Sequence, residues 1–291
     1  MNKIVLLITI LNFGFLNAQI ENGMIAHFPF NGNHNDISAS VIVTNNVGTT
    51  FGNDRNATAN QAVELGTDKY ISFTDTAVKT KLPLTISTWV KFNSFAEMNV
   101  IFASDNVFDN YHGYWFYTVP NTGQVAFSYG AGMGGTNATN RRTTTTDTQL
   151  SIGVWYHLVA VIRAHKNMEI YFNCEKQPFS YSGSGATNMI YSSTESRIGS
   201  APGDITNTNG WFCDGSIDQL AIWKRAITPA EINYLCDINN TLSVIENDTT
   251  KEPKEILKII NVLGQEVEAT KNTPLIYIYS DGSTERIVIT E

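Results

Sequence analysis

Nine short strand-like runs, separated by clusters of Gly, Asn, Asp, Ser and Thr, fill residues 20–236. They are "MIAHFPF" (24–30), "KYISFT" (69–74), "LTISTWVKF" (84–92), "NVIFAS" (99–104), "YWFYTV" (114–119), "QVAFSY" (124–129), "WYHLVAVIR" (155–163), "MEIYFN" (168–173) and "SIDQLAIWK" (216–224). In the seventh, Leu158, Ala160 and Ile162 share one face and His157, Val159 and Val161 the other, the period of two that a pleated strand imposes. Short strands at regular spacing with turn signals between them predict an all-β, antiparallel two-sheet sandwich. One helix interrupts the series. Thr228 is placed to be its N-cap, Pro229 takes the first helical position and Glu231 completes a capping box. Ile232 and Leu235 then give it a single apolar stripe.

The ends of the chain read differently. Residues 1–18 hold Lys3, then an apolar run from Ile4 to Leu16, with Ala18 before Gln19. That run is too short to span a bilayer of about 30 Å and fits the apolar region of a secretory signal peptide cleaved after Ala18. No later run is long and apolar enough to cross a membrane, so the expected location is secreted or cell-surface. Residues 241–254, including "ENDTTKEPK", are polar and charged and predict a linker. Residues 255–291 carry three short strand patterns with turns near Gly264 and Gly282; so short a module buries little surface by itself. The formal net charge is −8, and an acidic chain with no basic patch argues against nucleic acid or anionic lipid as partner. Export permits a disulfide. Of the three cysteines, Cys213 with Cys236 is the expected pair, because it would tie a strand to the nearby helix; without CxxC spacing a structural zinc site is disfavoured.

Taken in order, "GMIAHFPFNGNHNDIS", "LTISTWVKF", "GVWYHLVAVI", "MEIYFNCE", "SRIGSA" and "GSIDQLAIWKRAITPAEINYL" resemble laminin-G-like domains of the concanavalin A-like lectin/glucanase class. The resemblance covers roughly residues 20–236, within a domain read as 19–240, and implies a jelly roll. The C-terminal module, with "INVLGQEV" and "PLIYIYSDGS", resembles the sorting tails that direct Bacteroidetes proteins through type IX secretion. It departs from the commonest tail by ending in Glu291 and lacking a basic final strand. Alternation groups Asp218 with Leu220 and Ile222, which would put a carboxylate on the core face, where it needs a partner. A rim position at the start of the strand resolves the conflict. Relatives of this fold hold calcium between that place and the first loop. The resemblance therefore implies a calcium site made of Asp218 with Asn31, Asn33 and Asp36, Asn35 lying in the same loop. Calcium takes six to eight oxygens of this kind. The competing reading makes "NGNHND" an Asx-rich turn and Asp218 a cap.

Glycan-cleaving relatives carry paired acids two apart on one strand, flanking the scissile bond. Here the strand acids Glu64, Glu169 and Asp218 are isolated, no GxSxG turn occurs, and "GAGMGG" (130–135) follows a strand with no helix behind it. His157 and His27 read as structural strand residues, as do Trp89, Trp155 and Trp223. The expectation is a non-enzymatic module. Sugars stack on aromatic faces and bond to Asn, Asp, Arg and backbone groups. "DNYHGYWFYTV" (109–119) sends Trp115 and Tyr117 to one face and Tyr114 and Phe116 to the other. Tyr114, Trp115 and Tyr117, with Asn137, Asn140 and Arg141 from the next loop, are thus the candidate ligand-binding residues. The partner expected is a glycan or polysaccharide, or else a cell-surface protein. The alternatives are a hydrolase or lyase with unrecognised acids, or a structural adhesion module.

Overall fold

A computed structural model describes residues 19–236 except 39, 42, 44, 75, 106–110, 133–137, 185–187 and 202–210, and residues 256–288 except 262, 263, 270–273 and 280–283. The segments read as signal peptide and linker, and Asn137, lie outside the described residues. The strands in chain order begin with β1 (Met24–Phe28), β2 (Asn45–Val47), β3 (Thr50–Gly52), β4 (Ala62–Leu65), β5 (Tyr70–Phe73) and β6 (Leu84–Phe92). They continue with β7 (Val100–Ala103), β8 (Tyr114–Thr118), β9 (Gln124–Gly130), β10 (Arg141–Gln149), β11 (Trp155–Ala164) and β12 (Asn167–Phe172). The first unit ends with β13 (Glu175–Lys176), β14 (Phe179–Ser182), β15 (Ser196–Ile198), β16 (Gly215–Trp223) and the helix α1 (Pro229–Cys236). One sheet runs β13-β12-β11-β6-β16-β4-β3, with β1 also on β16; the other runs β14-β10-β9-β8-β7-β15-β5-β2. All pairings are antiparallel, as the strand pattern predicts.

Alternation decides what lies between the sheets. Leu84, Ile86, Val90 and Phe92 of β6, Leu158, Ala160 and Ile162 of β11, and Tyr114, Phe116 and Phe127 of β8 and β9 meet in one core. The intervening residues point outward, and each outer face has its own apolar cluster. On the first sheet Val159, Val161, Tyr171, Ala221 and Trp223 pack with Ile20 and with Ile227, Ile232 and Leu235 of the helix region. On the second sheet Val100, Ala103, Trp115, Tyr117, Ala126 and Ala201 cluster.

The helix starts as its sequence dictates. Thr228 N–H donates to Glu231 Oε2 at 2.7 Å, and Glu231 N–H to Thr228 Oγ1 at 3.3 Å, the reciprocal bonds of a capping box. Arg225 adds two bonds to the same carboxylate, so a buried Glu231 is fully accounted for. The far end of the helix is held covalently, and here the expectation of a Cys213–Cys236 bond is wrong. Cys236 pairs with Cys174, in the turn between β12 and β13, and Cys213 is a buried free thiol. Cys213 belongs to the intersheet core, whereas Cys236 lies on the outer side of the first sheet, so the two sulfurs are separated by a layer of packed strand.

Residues Ser243–Glu291 form a second unit. Its three strands β17 (Ile256–Asn261), β18 (Pro274–Tyr279) and β19 (Thr284–Val288) make one antiparallel sheet in that order. No described helix is long and apolar enough to cross a membrane.

A disulfide closing a loop of this length stabilises by about 2–5 kcal/mol. Cys174→Ser should show that loss in denaturant titration and lose all response to reductant. Cys213→Ala should keep the full response to reductant; if it does not, the pairing is wrong.

Candidate functional site

Gln219 has φ 50°, and β16 gains one residue against β6 between Asp218↔Trp89 and Ala221↔Ser87. Such a bulge shifts the side-chain phase by one. Leu220 and Ile222 stay in the core, while Asp218 joins Trp89 and Ser87 on the outer face of the first sheet. Both expectations for Asp218, core edge or solvated rim, are thereby corrected. It is 2 % exposed and its Oδ2 lies 2.5 Å from Nη1 of Arg55, itself buried. Arg55 comes from the loop between β3 and β4, 163 residues away in sequence. Its guanidinium sits 4.7 Å from the centre of the Trp89 ring, and the His157 ring packs on the same tryptophan at 5.2 Å. His157 Nε2 is 2.8 Å from Ser87 Oγ, and its backbone N–H donates to Asn173.

Burial pushes the Asp218 carboxyl up, to about 7, against the pull of Arg55. Burial, helped by the Arg55 charge, pushes His157 down to about 3, and burial likewise takes His27 to about 4 despite nearby Asp36. Both imidazoles are therefore neutral at ordinary pH, which suits a structural role. The ion pair is a clasp that fastens the β3–β4 loop across the sheet.

The residues proposed for calcium do not fit one. Asp36 Oδ1 accepts from the N–H groups of His27 and Ser38, and Oδ2 from Ser38 Oγ and the N–H groups of Ser40 and Val41. Asn33 Oδ1 accepts from Asn35 N–H, and its amide donates to the Asn31 carbonyl. That is an Asx-built turn with the side-chain oxygens of Asp36 and Asn33 already committed, and Asp218 has a guanidinium where a cation would have to sit. Among the described residues no group of three or more His, Cys, Asp or Glu gathers as metal ligands.

The outer face of the second sheet is different. Register lines up Arg197, Ala103, Trp115, Ser128 and Thr143 across β15, β7, β8, β9 and β10. Trp115 stacks between Tyr111 at 5.7 Å and Tyr117 at 6.3 Å, with interplanar angles of 19° and 23°. Tyr117 Oη is 3.1 Å from Ser128 Oγ, which is 2.6 Å from Thr143 Oγ1. Gly130 lets Tyr111 cross the sheet here, because a Cβ at that position would overlap the Tyr111 carbonyl oxygen. Arg141, opposite Gly130, holds its guanidinium carbon 5.1 Å from the Tyr111 ring centre.

Sequence reasoning placed Trp115 and Tyr117 on a shared face, and they are there, although each is largely covered by its stacked neighbours. Asn140 ends a short 3-10 turn just before the strand that carries Arg141, its carbonyl accepting from Ala131 N–H. Tyr114 is corrected: it points into the core, fully buried, and its hydroxyl donates to the Val78 carbonyl at 3.0 Å. Arg55 and Tyr111 were missed as site residues. Both stand in loops, where alternation gives no signal.

The family model described as the concanavalin A-like lectin/glucanases superfamily matches residues 65–233, more than half of the chain. The chain belongs to that superfamily. A search of curated proteins finds no match. Among solved structures, the concanavalin A-like unit is similar to domain 4 of AbnA, a GH43 extracellular arabinanase from Geobacillus stearothermophilus, solved with arabinotriose. The identity is 19 %, the TM-score 0.50, and the match covers 73 % of this chain and 98 % of that one. The binding domain of botulinum neurotoxin DC, in complex with SialylT, matches at 13 % identity and TM-score 0.51, over 92 % of this chain and 74 % of its own. A botulinum neurotoxin type C structure, described as dependent for cell entry on two ganglioside molecules, matches at 17 % and 0.51, over 90 % and 63 %. At these identities the likeness is one of fold.

Removing one partner of a buried ion pair costs about 3–5 kcal/mol, whereas replacing both by apolar groups restores much of it. Asp218→Leu should therefore unfold at markedly lower denaturant, and Arg55→Met/Asp218→Leu should recover most of the loss; an additive double variant would refute the clasp. The histidine gives a pH test. An unfolded His takes up a proton near 6.5 and buried His157 only near 3, so unfolding binds a proton in between and stability falls as pH drops through that window. His157→Gln should remove up to about 1.4 kcal/mol per pH unit of that slope, and an unchanged slope would show that His157 is not held neutral.

Proposed function

We propose that this chain is an exported, non-catalytic carbohydrate-recognition module whose binding surface is the outer face of the second sheet. One observation carries the reading: Tyr111, Trp115 and Tyr117 form a continuous aromatic stack beside the half-buried Arg141. Flat apolar faces next to hydroxyl and guanidinium donors match the alternating C–H and O–H surfaces of a sugar ring. Tyr111, at the outer end of the stack and less covered than Trp115, is the ring that meets the ligand. Glycan ligands of fold neighbours support the class of partner.

A binding role, in preference to hydrolysis, is supported by how the sheet carboxylates are used. Asp218 is held by Arg55, and Glu169 by Lys176, Arg163 and the Tyr171 hydroxyl. Neither is placed as a free acid facing another across a groove, as bond cleavage demands. Export is supported by the signal-like first residues and by the disulfide. The C-terminal unit is read as a type IX sorting tail. That part is tested separately by the mass of the secreted protein, which should lack the tail's residues after processing.

The full chain is to be screened on a polysaccharide and glycan array, once with calcium and once with EDTA. Binding should appear in both, and Tyr111→Ala should weaken it about tenfold or more, the loss typical of a stacked aromatic anchor. A blank array, binding indifferent to Tyr111→Ala, or new reducing ends released from the bound glycan would each overturn the reading. Binding that EDTA abolishes would restore calcium to the account.

A further inference from the structure

The described arginines fall into two groups. Arg55, Arg163, Arg197 and Arg225 each have a carboxylate partner: Asp218, Glu169, Glu195 and Glu231. Arg142 is buried against the Tyr181 ring and donates to the Gly183 carbonyl at 2.7 Å. Neither Arg142 nor Arg141 has an acidic partner among the described residues, and of the two only Arg141 is half-buried, not buried. Its one bond to a described residue is a long one, from Nη1 to the Tyr111 hydroxyl at 3.4 Å, and its buried Nε has none there. In a chain whose net charge is −8, an unneutralised guanidinium on a half-buried side chain stands out, since acids are in excess and the other exposed arginines have found one.

Its surroundings explain how it is held. Gly130 permits the Tyr111 backbone to lie against β9, and the Tyr111 ring then supports the guanidinium from one side. Cation–π contact fixes the plane without using up the N–H groups. What remains is a pre-oriented fork of donors at the end of an aromatic stack. Such a fork matches a carboxylate bidentately, and the match is one of geometry as well as charge.

We infer that Arg141 is a specificity-determining residue and that the glycan bound on this face carries a carboxylate, as a uronic or sialic acid does. The inference rests on the carbohydrate-binding reading and adds the ligand's charge class to it. The sugar ring packs beside Tyr111, and its carboxylate meets the outer N–H groups of Nη1 and Nη2 of Arg141, the Nε being buried.

The test uses four probes in calorimetry with the full chain: polygalacturonate against neutral galactan, and sialyllactose against lactose. Wild type should bind a carboxylated probe and not its neutral counterpart, and which pair responds tells a uronate from a sialate. Arg141→Gln should weaken that binding about ten- to hundredfold, the usual worth of a charge-assisted hydrogen bond, with an unchanged melting temperature. Arg141→Lys, which keeps the charge and loses the fork, should fall between. Equal binding of neutral and carboxylated probes, unaffected by Arg141→Gln, would overturn the inference and leave the carbohydrate reading intact. Preference for dextran sulfate over both carboxylated probes would likewise overturn the carboxylate assignment. Failure of every probe, together with a blank array, would overturn both.

Discussion

Strand β16 has to satisfy two packing partners at once, and the left-handed backbone at Gln219 is what makes that possible. Before the bulge the strand pairs with β4 on one side, and after it with β1. Without the added residue, Asp218 would face the apolar core and the ion pair with Arg55 could not form. With it, the strand offers Ile217, Leu220 and Ile222 inward and Asp218, Ala221 and Trp223 outward. The loop clasp and the helix seat both follow from that one change of phase.

The two outer faces have been given opposite treatments. The first sheet is closed off: an N-terminal residue, a capped helix and the β3–β4 loop cover it, and its charges are neutralised in place. Burying charge in this way is expensive unless each group finds its partner, which is why the contacts there are so specific. The second sheet stacks aromatic rings where apolar aliphatic cover would have been simpler, and sets beside them Arg141, which has no acidic partner among the described residues. On the proposed reading that cation serves recognition.

Much of this was legible in the sequence, and the exceptions have identifiable causes. The capping box at Thr228 and Glu231 was readable because it is a local pattern whose partners stand three residues apart. The strands were readable from their period of two, and the same period correctly separated Trp115 and Tyr117 from Tyr114 and Phe116. It could not say which pair faced the core, since both are aromatic. Asp218 was misplaced because alternation presumes an unbroken phase, and nothing in "SIDQLAIW" marks Gln219 as a bulge. Arg55 was invisible for another reason: its partner lies far along the chain, and loops carry no periodic signal. The cysteine pairing failed because nearness in sequence was taken for nearness in space: Cys213, just before β16, sits in the intersheet core, and Cys236 ends the helix.

The actual bond has a mechanical consequence. It joins residues 62 apart, the later one being the last of the helix. Once the native contacts between Ile20, β1 and β16 give way, tension along the chain between Ile20 and a point beyond Cys236 passes through the two sulfurs, the shorter covalent route. Residues 175–235 then form a closed loop that pulling cannot extend, so the reach of the stretched chain is shortened by that loop.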